Sequence, residues 1–393
     1  MLMVALWVAL AVCGVLVVFP YTIYPAIMYA LSRFIRNHGA ETTATIISGD
    51  AYPYVSVFIP AYNEEAFIAE KISNALALTY PAERLEIVVA SDGSDDKTAQ
   101  IARSFSELYK NVRVLEYPCR RGKVNVMNSG IPECSGEIVV LTDANAMFNK
   151  EALVNLVRHF VDGTVGCVAG EKRIVDAGAN DQAGEHEGLY WRFESFLKRL
   201  EGRVSTVIGA DGAVYAIRKN LWRPLPSETP VDDFLLSMLI VKQGYRIVYE
   251  PGAISTEYSG GSLTNEFRRK VRIAAGNFYN LRYLKGLLGL NLISFMFLGH
   301  KFLRWISPFL LAAFTALVVA TAVGGSWIGT WLVVGLLIVY LLAVLGYVSD
   351  GKVPGDKLTR TLTYFLMTVV AQLFGFFRYL SRSQGAVWEK ARS

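Results

Sequence analysis

Cysteine is scarce in this chain, and what there is lies scattered. Cys13, Cys119, Cys134 and Cys167 are the only four in 393 residues. They form no Cys-x-x-Cys pair and no Cys/His ligand spacing, which speaks against a zinc site and a disulfide framework and suits a cytosolic central domain. Charge is also limited, with charged residues at 19% and a net charge of only +5. The basic residues gather beside apolar segments and form no aromatic-rich basic stripe, so nucleic acid is a poor partner and a membrane surface a better one. Internal repeats and low-complexity segments are absent from the sequence. So are the basic start and small-residue cleavage site of a secretory signal peptide, which leaves the apolar N-terminus as a retained membrane helix.

Apolar residues are what the chain has in plenty. They make up 53% of it, with a mean hydropathy of +0.33. That is too apolar for an ordinary soluble enzyme, yet the charge content is too high for a chain that is all membrane. A two-part protein is expected. Residues 1–31 form one long apolar run, with Arg33 and Arg36 expected to face the cytoplasm. Residues 303–323, 326–348 and 360–380 are further runs. Between 267 and 301, Arg268, Arg269, Lys270, Arg272, Arg282, Lys285 and Lys301 interrupt the apolar residues, as in helices lying on a membrane surface. The resulting division is 1–36 (membrane helix), 50–265 (soluble domain), 266–301 (interface helices), 302–380 (membrane helices) and 381–393 (tail). One crossing before the domain and three after it would put Arg382, Lys390 and Arg392 outside, against the positive-inside tendency. The 361–380 run is the suspect for not crossing, because Thr368, Gln372 and Gly375 give it a weakly polar face.

Strand and helix patterns alternate in the central stretch. Residues 55–59, 85–90, 112–115 and 138–141 are strand-like, and 64–78 and 97–109 helix-like, which predicts an α/β domain with a mostly parallel sheet flanked by helices. Ligands of such sheets bind beyond the carboxyl ends of the strands. There the first two strands lead into Pro60–Glu64 and into Ser91-Asp92-Gly93-Ser94-Asp95-Asp96.

Each acidic motif has a plain reading beside a functional one. Asn63 could cap a helix with Glu64 in its first turn, and Asp95 or Asp96 could cap the next. Asp232 and Asp233, opening a helical run, could be a cap pair. Thr142-Asp143-Ala144-Asn145 is sharper: alternation along an extended segment aims Asp143 and Asn145 the same way, and such oxygen ligands suit Mg²⁺ or Mn²⁺ bridging a diphosphate. Together, and in this order, the motifs are far more specific than any one of them.

In that order they resemble the family 2 inverting glycosyltransferases, and among these the processive membrane synthases of hyaluronan, chitin oligosaccharide, cellulose and poly-N-acetylglucosamine. The resemblance covers nearly the whole chain and implies a GT-A domain inserted between an N-terminal membrane helix and C-terminal interface and membrane helices. It implies that Tyr62 and Glu64 contact the base of a UDP-sugar, that Asp92 holds the uracil or ribose side, and that Lys123 lies near the nucleotide. Asp143 corresponds to the first carboxylate of the Asp-x-Asp metal motif, whose second position here is Asn145; an amide oxygen brings no charge, so weaker metal binding is expected. Asp233 corresponds to the catalytic base, with Asp232 orienting it or tuning its pKa. The Gln-x-x-Arg-Trp motif falls on Arg269–Ile273, which keeps Arg272 for the diphosphate but replaces the acceptor-stacking Trp by Ile273; the plain reading is a basic membrane-facing helix. Gly209, Asp211 and Gly212 resemble the acceptor-side loop, or a simple turn. Trp388 resembles part of a gating segment over bound UDP, or an interfacial anchor.

The expected function is therefore transfer from a UDP-sugar to a growing polysaccharide, coupled to its secretion, by a multi-pass protein of the plasma (inner) membrane with a cytosolic catalytic domain. The alternatives are transfer of one sugar to a lipid-linked acceptor, and a catalytically weak scaffold subunit with export-complex partners.

Overall fold

The structure is a computed structural model that describes residues 1–35, 52–175, 182–258, 263–348 and 357–382. Its centre is one eight-stranded sheet in the order β3-β2-β1-β4-β7-β6-β8-β5. The strands are β1 (Val55–Ala61), β2 (Leu85–Asp92), β3 (Val112–Tyr117), β4 (Ile138–Leu141), β5 (Met147–Phe148), β6 (Val165–Val175), β7 (Tyr215–Arg218) and β8 (Arg246–Tyr258). β3, β2, β1 and β4 run parallel; β7 is antiparallel to both its neighbours, β6 and β8 are parallel, and β5 closes the edge antiparallel to β8.

The continuous apolar runs follow from burial on both sheet faces. Val57, Ile59, Ile87, Val89 and Val140 enter one core, while Phe58, Val88, Val139 and Leu141 point into the other. A fully buried side chain of this kind contributes roughly 1.5–3 kcal/mol, so strand register is strongly fixed. The second core is shared with the apolar ends of the chain, since Tyr24, Met28, Phe297 and Trp305 belong to it.

The membrane-like segments differ from the expected pattern in one respect. Residues 1–31 do not form a single helix. Leu2–Val18 and Ile23–Phe34 are separate helices bent by 62°. Pro20 lies at the break, where a missing N–H and a fixed φ disfavour a continuous helix. Leu292–Trp305 and Ser307–Val323 form a second bent pair, at 68°. Among the described residues, Trp327–Val348 and Thr361–Leu380 are long and apolar enough to cross a membrane, and the total reaches four if each bent pair is one span. Leu337, Ile338 and Leu341 stand exposed on Trp327–Val348, as lipid-facing side chains would. Thr361–Leu380 has half the mean hydropathy of Trp327–Val348, 1.3 against 2.6, and the bent pairs have the geometry that a re-entrant loop shares with a broken span.

Within this shared apolar core the junction between the sheet domain and these helices also carries a buried polar cluster. From the Gln182–Val204 helix, Glu201 accepts a hydrogen bond from the Tyr24 hydroxyl at 2.6 Å. His300 lies fully buried between Glu201, 2.6 Å from Nδ1, and Glu194, 3.2 Å from Nε2. Lys301 pairs with Glu194 at 2.7 Å, and Arg304 pairs with it as well. His300 is carried by a π-helical turn, Leu298–Phe302, a form often found where a helix is bent to aim a side chain.

Candidate active site

The parallel strands bring Tyr62, Asp92 and Asp143 to one edge of the sheet, at the ends of β1, β2 and β4. Asp92 is buried and accepts the backbone N–H groups of Arg121, at 2.7 Å, and Gly122, at 2.8 Å. Gly122 has φ of 89°, a conformation that favours glycine, and directly precedes the Lys123–Gly130 helix. Asp92 thus anchors the turn that delivers Lys123. The Arg120 guanidinium lies 3.9 Å from the Tyr62 ring centroid, and the Tyr62 hydroxyl is 3.4 Å from Asp95. The Glu64 backbone N–H donates to Thr98 Oγ1 at 2.7 Å. Asp96 accepts from the Thr98 N–H at 2.9 Å, but the N-cap of the Thr98–Leu108 helix is Lys97, so neither Asp95 nor Asp96 takes the cap position expected of them.

Next to this turn, Lys123 joins two acidic motifs. Its ammonium is 2.9 Å from Asp143 Oδ1 and 3.3 Å from Asp232 Oδ2, the latter an ion pair without hydrogen-bond geometry. Burial disfavours the Lys123 charge, but Asp143, Asp232 and Asp233 outweigh it and hold the pKa above the ordinary lysine range. Burial likewise works against the Asp143 charge, and Lys123, Lys172 and Arg272 together bring its pKa below the usual value. Along residues 142–146, Thr142, Ala144 and Ala146 are buried while Asp143 and Asn145 are partly exposed. Burial alternates as expected, but the segment is not extended: Ala144 and Asn145 form a turn closed by the Ala146 N–H donating to the Asp143 carbonyl at 3.2 Å.

Asp232 and Asp233 open the Asp232–Lys242 helix. Asp233 Oδ2 accepts the Gly212 N–H at 2.6 Å, and Oδ1 accepts the Phe234 N–H at 2.7 Å. Burial first, then the neighbouring Asp232 charge, push its pKa up to about 7, against the opposing pull of Lys123. A carboxylate so tuned can take a proton near neutral pH. A Cβ at Gly212 would stand 3.2 Å from Asp233 Oδ2 and 3.6 Å from Asp143 Oδ2, so this glycine lies between the two carboxylates and leaves the space open. Gly209 has φ of 93° and packs against Phe234, where a Cβ would approach to 2.4 Å. Asp211, expected beside an acceptor, is ion-paired with the buried Lys198.

From the basic helix Leu263–Leu284, Arg272 donates to the Pro230 carbonyl at 3.2 Å. Burial first, then the neighbouring Arg269 charge, bring its pKa below the ordinary arginine value, against the opposing pull of Asp232, Asp233 and Asp143. Arg269 is turned to Glu266, at 2.7 Å. Trp388 lies outside the described residues.

Lys71 is the residue that sequence reasoning missed. It is fully buried behind the Thr142–Ala146 segment, donating to Thr142 Oγ1 at 3.0 Å and to the Ala146 carbonyl, with its ammonium 3.7 Å from the Phe148 ring centroid. Burial brings its pKa down to about 7, despite Asp143 and Glu257. The available signal was a lysine within an otherwise apolar helical stripe, Ile68, Lys71, Ile72 and Ala75. Replacing Lys71 by Ala removes both hydrogen bonds and leaves a cavity. We expect a loss of about 2–4 kcal/mol, read as a lower thermal midpoint in detergent, together with weaker donor binding as the Asp143 segment loosens.

Asp143 and Asn145 offer one carboxylate and one amide oxygen, and among the described residues no three His, Cys, Asp or Glu side chains are grouped to hold a metal. Hard divalent ions are commonly held by one or two carboxylates with phosphate oxygens completing the shell, so these residues fit Mg²⁺ or Mn²⁺ once a diphosphate is bound.

A mostly parallel sheet of this order, with acidic side chains gathered beyond the ends of its parallel strands, defines a GT-A-like fold. A solved structure described as the mannosyltransferase PcManGT from Pyrobaculum calidifontis in complex with GDP-Man and Mn2+ shares the fold across 95% of this chain and 99% of its own, with a TM-score of 0.71 at 23% identity. Residues 56–222 match the model of Glycosyl transferase family 2. It is 31% identical over 245 residues to a probable glycosyltransferase, YdaM, of Bacillus subtilis, covering 58% of this chain and 56% of that one. It is 29% identical over 270 residues to the poly-beta-1,6-N-acetyl-D-glucosamine synthase of Staphylococcus aureus, covering 65% and 62%. The matched region thus spans less than two thirds of either relative's length.

Proposed function

We propose that this protein is a membrane-integrated inverting glycosyltransferase that moves a sugar from a UDP-sugar to a growing polysaccharide and couples elongation to secretion. The observation that carries this reading is Asp233: a carboxylate pushed up to about 7, held by the Gly212 amide beside Asp143 and Lys123. In the proposed step Asp233 takes the proton of an acceptor hydroxyl as that oxygen bonds to the anomeric carbon. The bond from that carbon to the diphosphate oxygen breaks on the opposite face, so configuration inverts. Negative charge grows on the leaving diphosphate, where Lys123 and Arg272 supply compensating charge. Asp143 and Asn145 would hold a divalent ion, whose chemistry is to neutralise that same charge. Tyr62, Glu64 and Asp92, with the turn that Asp92 anchors, form the nucleoside end, and Gly209, Asp211 and Gly212 the acceptor side.

The similarity to a poly-beta-1,6-N-acetyl-D-glucosamine synthase supports a polymer product. The candidate spans support a multi-pass membrane protein, for which we propose the inner membrane and a cytosolic 50–265 domain. A second reading, transfer of a single sugar to a lipid-linked acceptor, is favoured by Ile273, which offers no flat aromatic face for a polysaccharide to stack on.

The test is nucleoside diphosphate release by detergent-purified protein with Mn²⁺ or Mg²⁺ across a panel of UDP-sugars and GDP-mannose, followed by sizing of radiolabelled product. Release with one donor and a long water-soluble product is the expected result. Label that extracts into organic solvent as a single-sugar adduct selects the second reading. No release from any donor, with folded protein in hand, removes both and leaves the scaffold.

A further inference from the structure

We propose that Gly276 and Asn280, on the Leu263–Leu284 helix, are positioning residues for Asp233, holding the Pro230–Val231 segment that fixes where the catalytic helix begins. This rests on the glycosyltransferase reading above.

Arg272, Gly276 and Asn280 recur every four residues and so share one face of their helix. All three meet the Pro230–Val231 segment. Arg272 donates to the Pro230 carbonyl at 3.2 Å, and Asn280 Nδ2 donates to the Val231 carbonyl at 2.9 Å. At Gly276 an added Cβ would lie 2.5 Å from Val231 Cγ2 and 3.1 Å from Pro230 Cβ, so the helix backbone comes as close to this segment as glycine permits. Asn280 is fully buried, and among the described residues its Oδ1 has no hydrogen-bond partner. Leaving an amide oxygen dry and unpaired is costly, which argues that its N–H₂ group is needed where it is.

What the segment controls is the base. Val231 is the N-cap of the Asp232–Lys242 helix, and Asp233 follows two residues later. Asp233 meets the Gly212 N–H from a different part of the chain, so a shift of Val231 along or away from the basic helix changes that contact directly. The opposite side of the basic helix is held equally closely. A Cβ at Gly375, on the Lys357–Leu380 helix, would lie 2.4 Å from Ala274 Cβ and 2.8 Å from the Val271 carbonyl. The basic helix is thus gripped between an apolar helix and the entrance to the catalytic one, and it transmits the position of the first to the second.

The experiment is steady-state kinetics of nucleoside diphosphate release by full-length Gly276→Ala, Asn280→Ala and Gly276→Ala/Val231→Ala proteins in detergent. A positioning role predicts that each single variant lowers kcat at least tenfold while KM for the donor stays within twofold, because the nucleotide pocket at β1 and β2 is untouched. It also predicts that Val231→Ala, by removing the side chain that the new methyl strikes, restores most of the kcat lost in Gly276→Ala. Asn280→Ala introduces no clash and carries the test if Gly276→Ala alone fails to fold. Active wild type with kcat unchanged in both single variants, or a Gly276→Ala defect that Val231→Ala leaves in place, overturns the proposal while sparing the proposed function. A folded wild type that releases no nucleotide from any donor overturns both.

Discussion

Asp233→Asn is expected to lower kcat by roughly 10²–10⁴ without unfolding the protein, since an amide keeps the shape and the contact with Gly212 but cannot take a proton. Product formation by purified variant and wild type, with a thermal scan of each, measures it; a variant retaining a tenth or more of the activity sinks the assignment. The pH dependence follows from the same group. Burial and Asp232 raise the Asp233 pKa to about 7, so the base is protonated and inactive below that pH and ionised above it. kcat/KM should therefore rise with pH through about 7. Asp232→Asn removes a negative charge that disfavours ionisation, and its acid limb should move to lower pH. A limb that stays in place or moves upward contradicts the role given to Asp232.

The second large effect is expected at Asp143, and it has a counterpart of opposite sign two residues on. Asp143→Ala removes the partner of Lys123 at 2.9 Å and the only carboxylate of the Asp143–Asn145 pair, and should lower kcat/KM for the donor by about 10²-fold or more. Asn145→Asp adds a charged oxygen on the same side of the segment and should lower the half-saturating Mn²⁺ concentration about tenfold, because affinity of such sites rises with ligand charge. A metal titration of nucleotide release reads both. If Asn145→Asp leaves the Mn²⁺ dependence unchanged, Asn145 does not face the metal.

Much of this arrangement was legible in the sequence because strands buried on both faces must be apolar without interruption. The strand read at 138–141 is β4 to the residue, and those read at 55, 85 and 112 begin where β1, β2 and β3 begin. Their ends ran two residues long because Glu116, Asp92 and the Pro60–Ala61 pair, polar or strand-averse by type, still pair in register with a neighbouring strand. The Asp232–Asp233 helix start was visible for similar local reasons, whereas the turn at Ala144–Asn145 was not. What stayed hidden depends on contacts between distant segments. Asp92 binding the amides of Arg121 and Gly122, Lys198 pairing with Asp211, and Lys71 under the Asp143 segment each need a tertiary partner that no spacing rule supplies. The break near Pro20 could have been read from that residue, but the apolar run on both sides masked it.

The dry knot of Tyr24, Glu201, His300 and Glu194 sets the order in which the protein can be completed during synthesis. Glu201 and Glu194 emerge from the ribosome long before His300, Lys301 and Arg304, so for about a hundred residues of synthesis those carboxylates have no cationic partners in the knot. Burying a carboxylate unpaired costs about 3–5 kcal/mol, so their helix has reason to stay undocked until then. Final closure of the catalytic domain onto the first helices then waits for the helix pair beyond residue 290 to arrive, and a fragment cut before it would carry two carboxylates with nowhere dry to go.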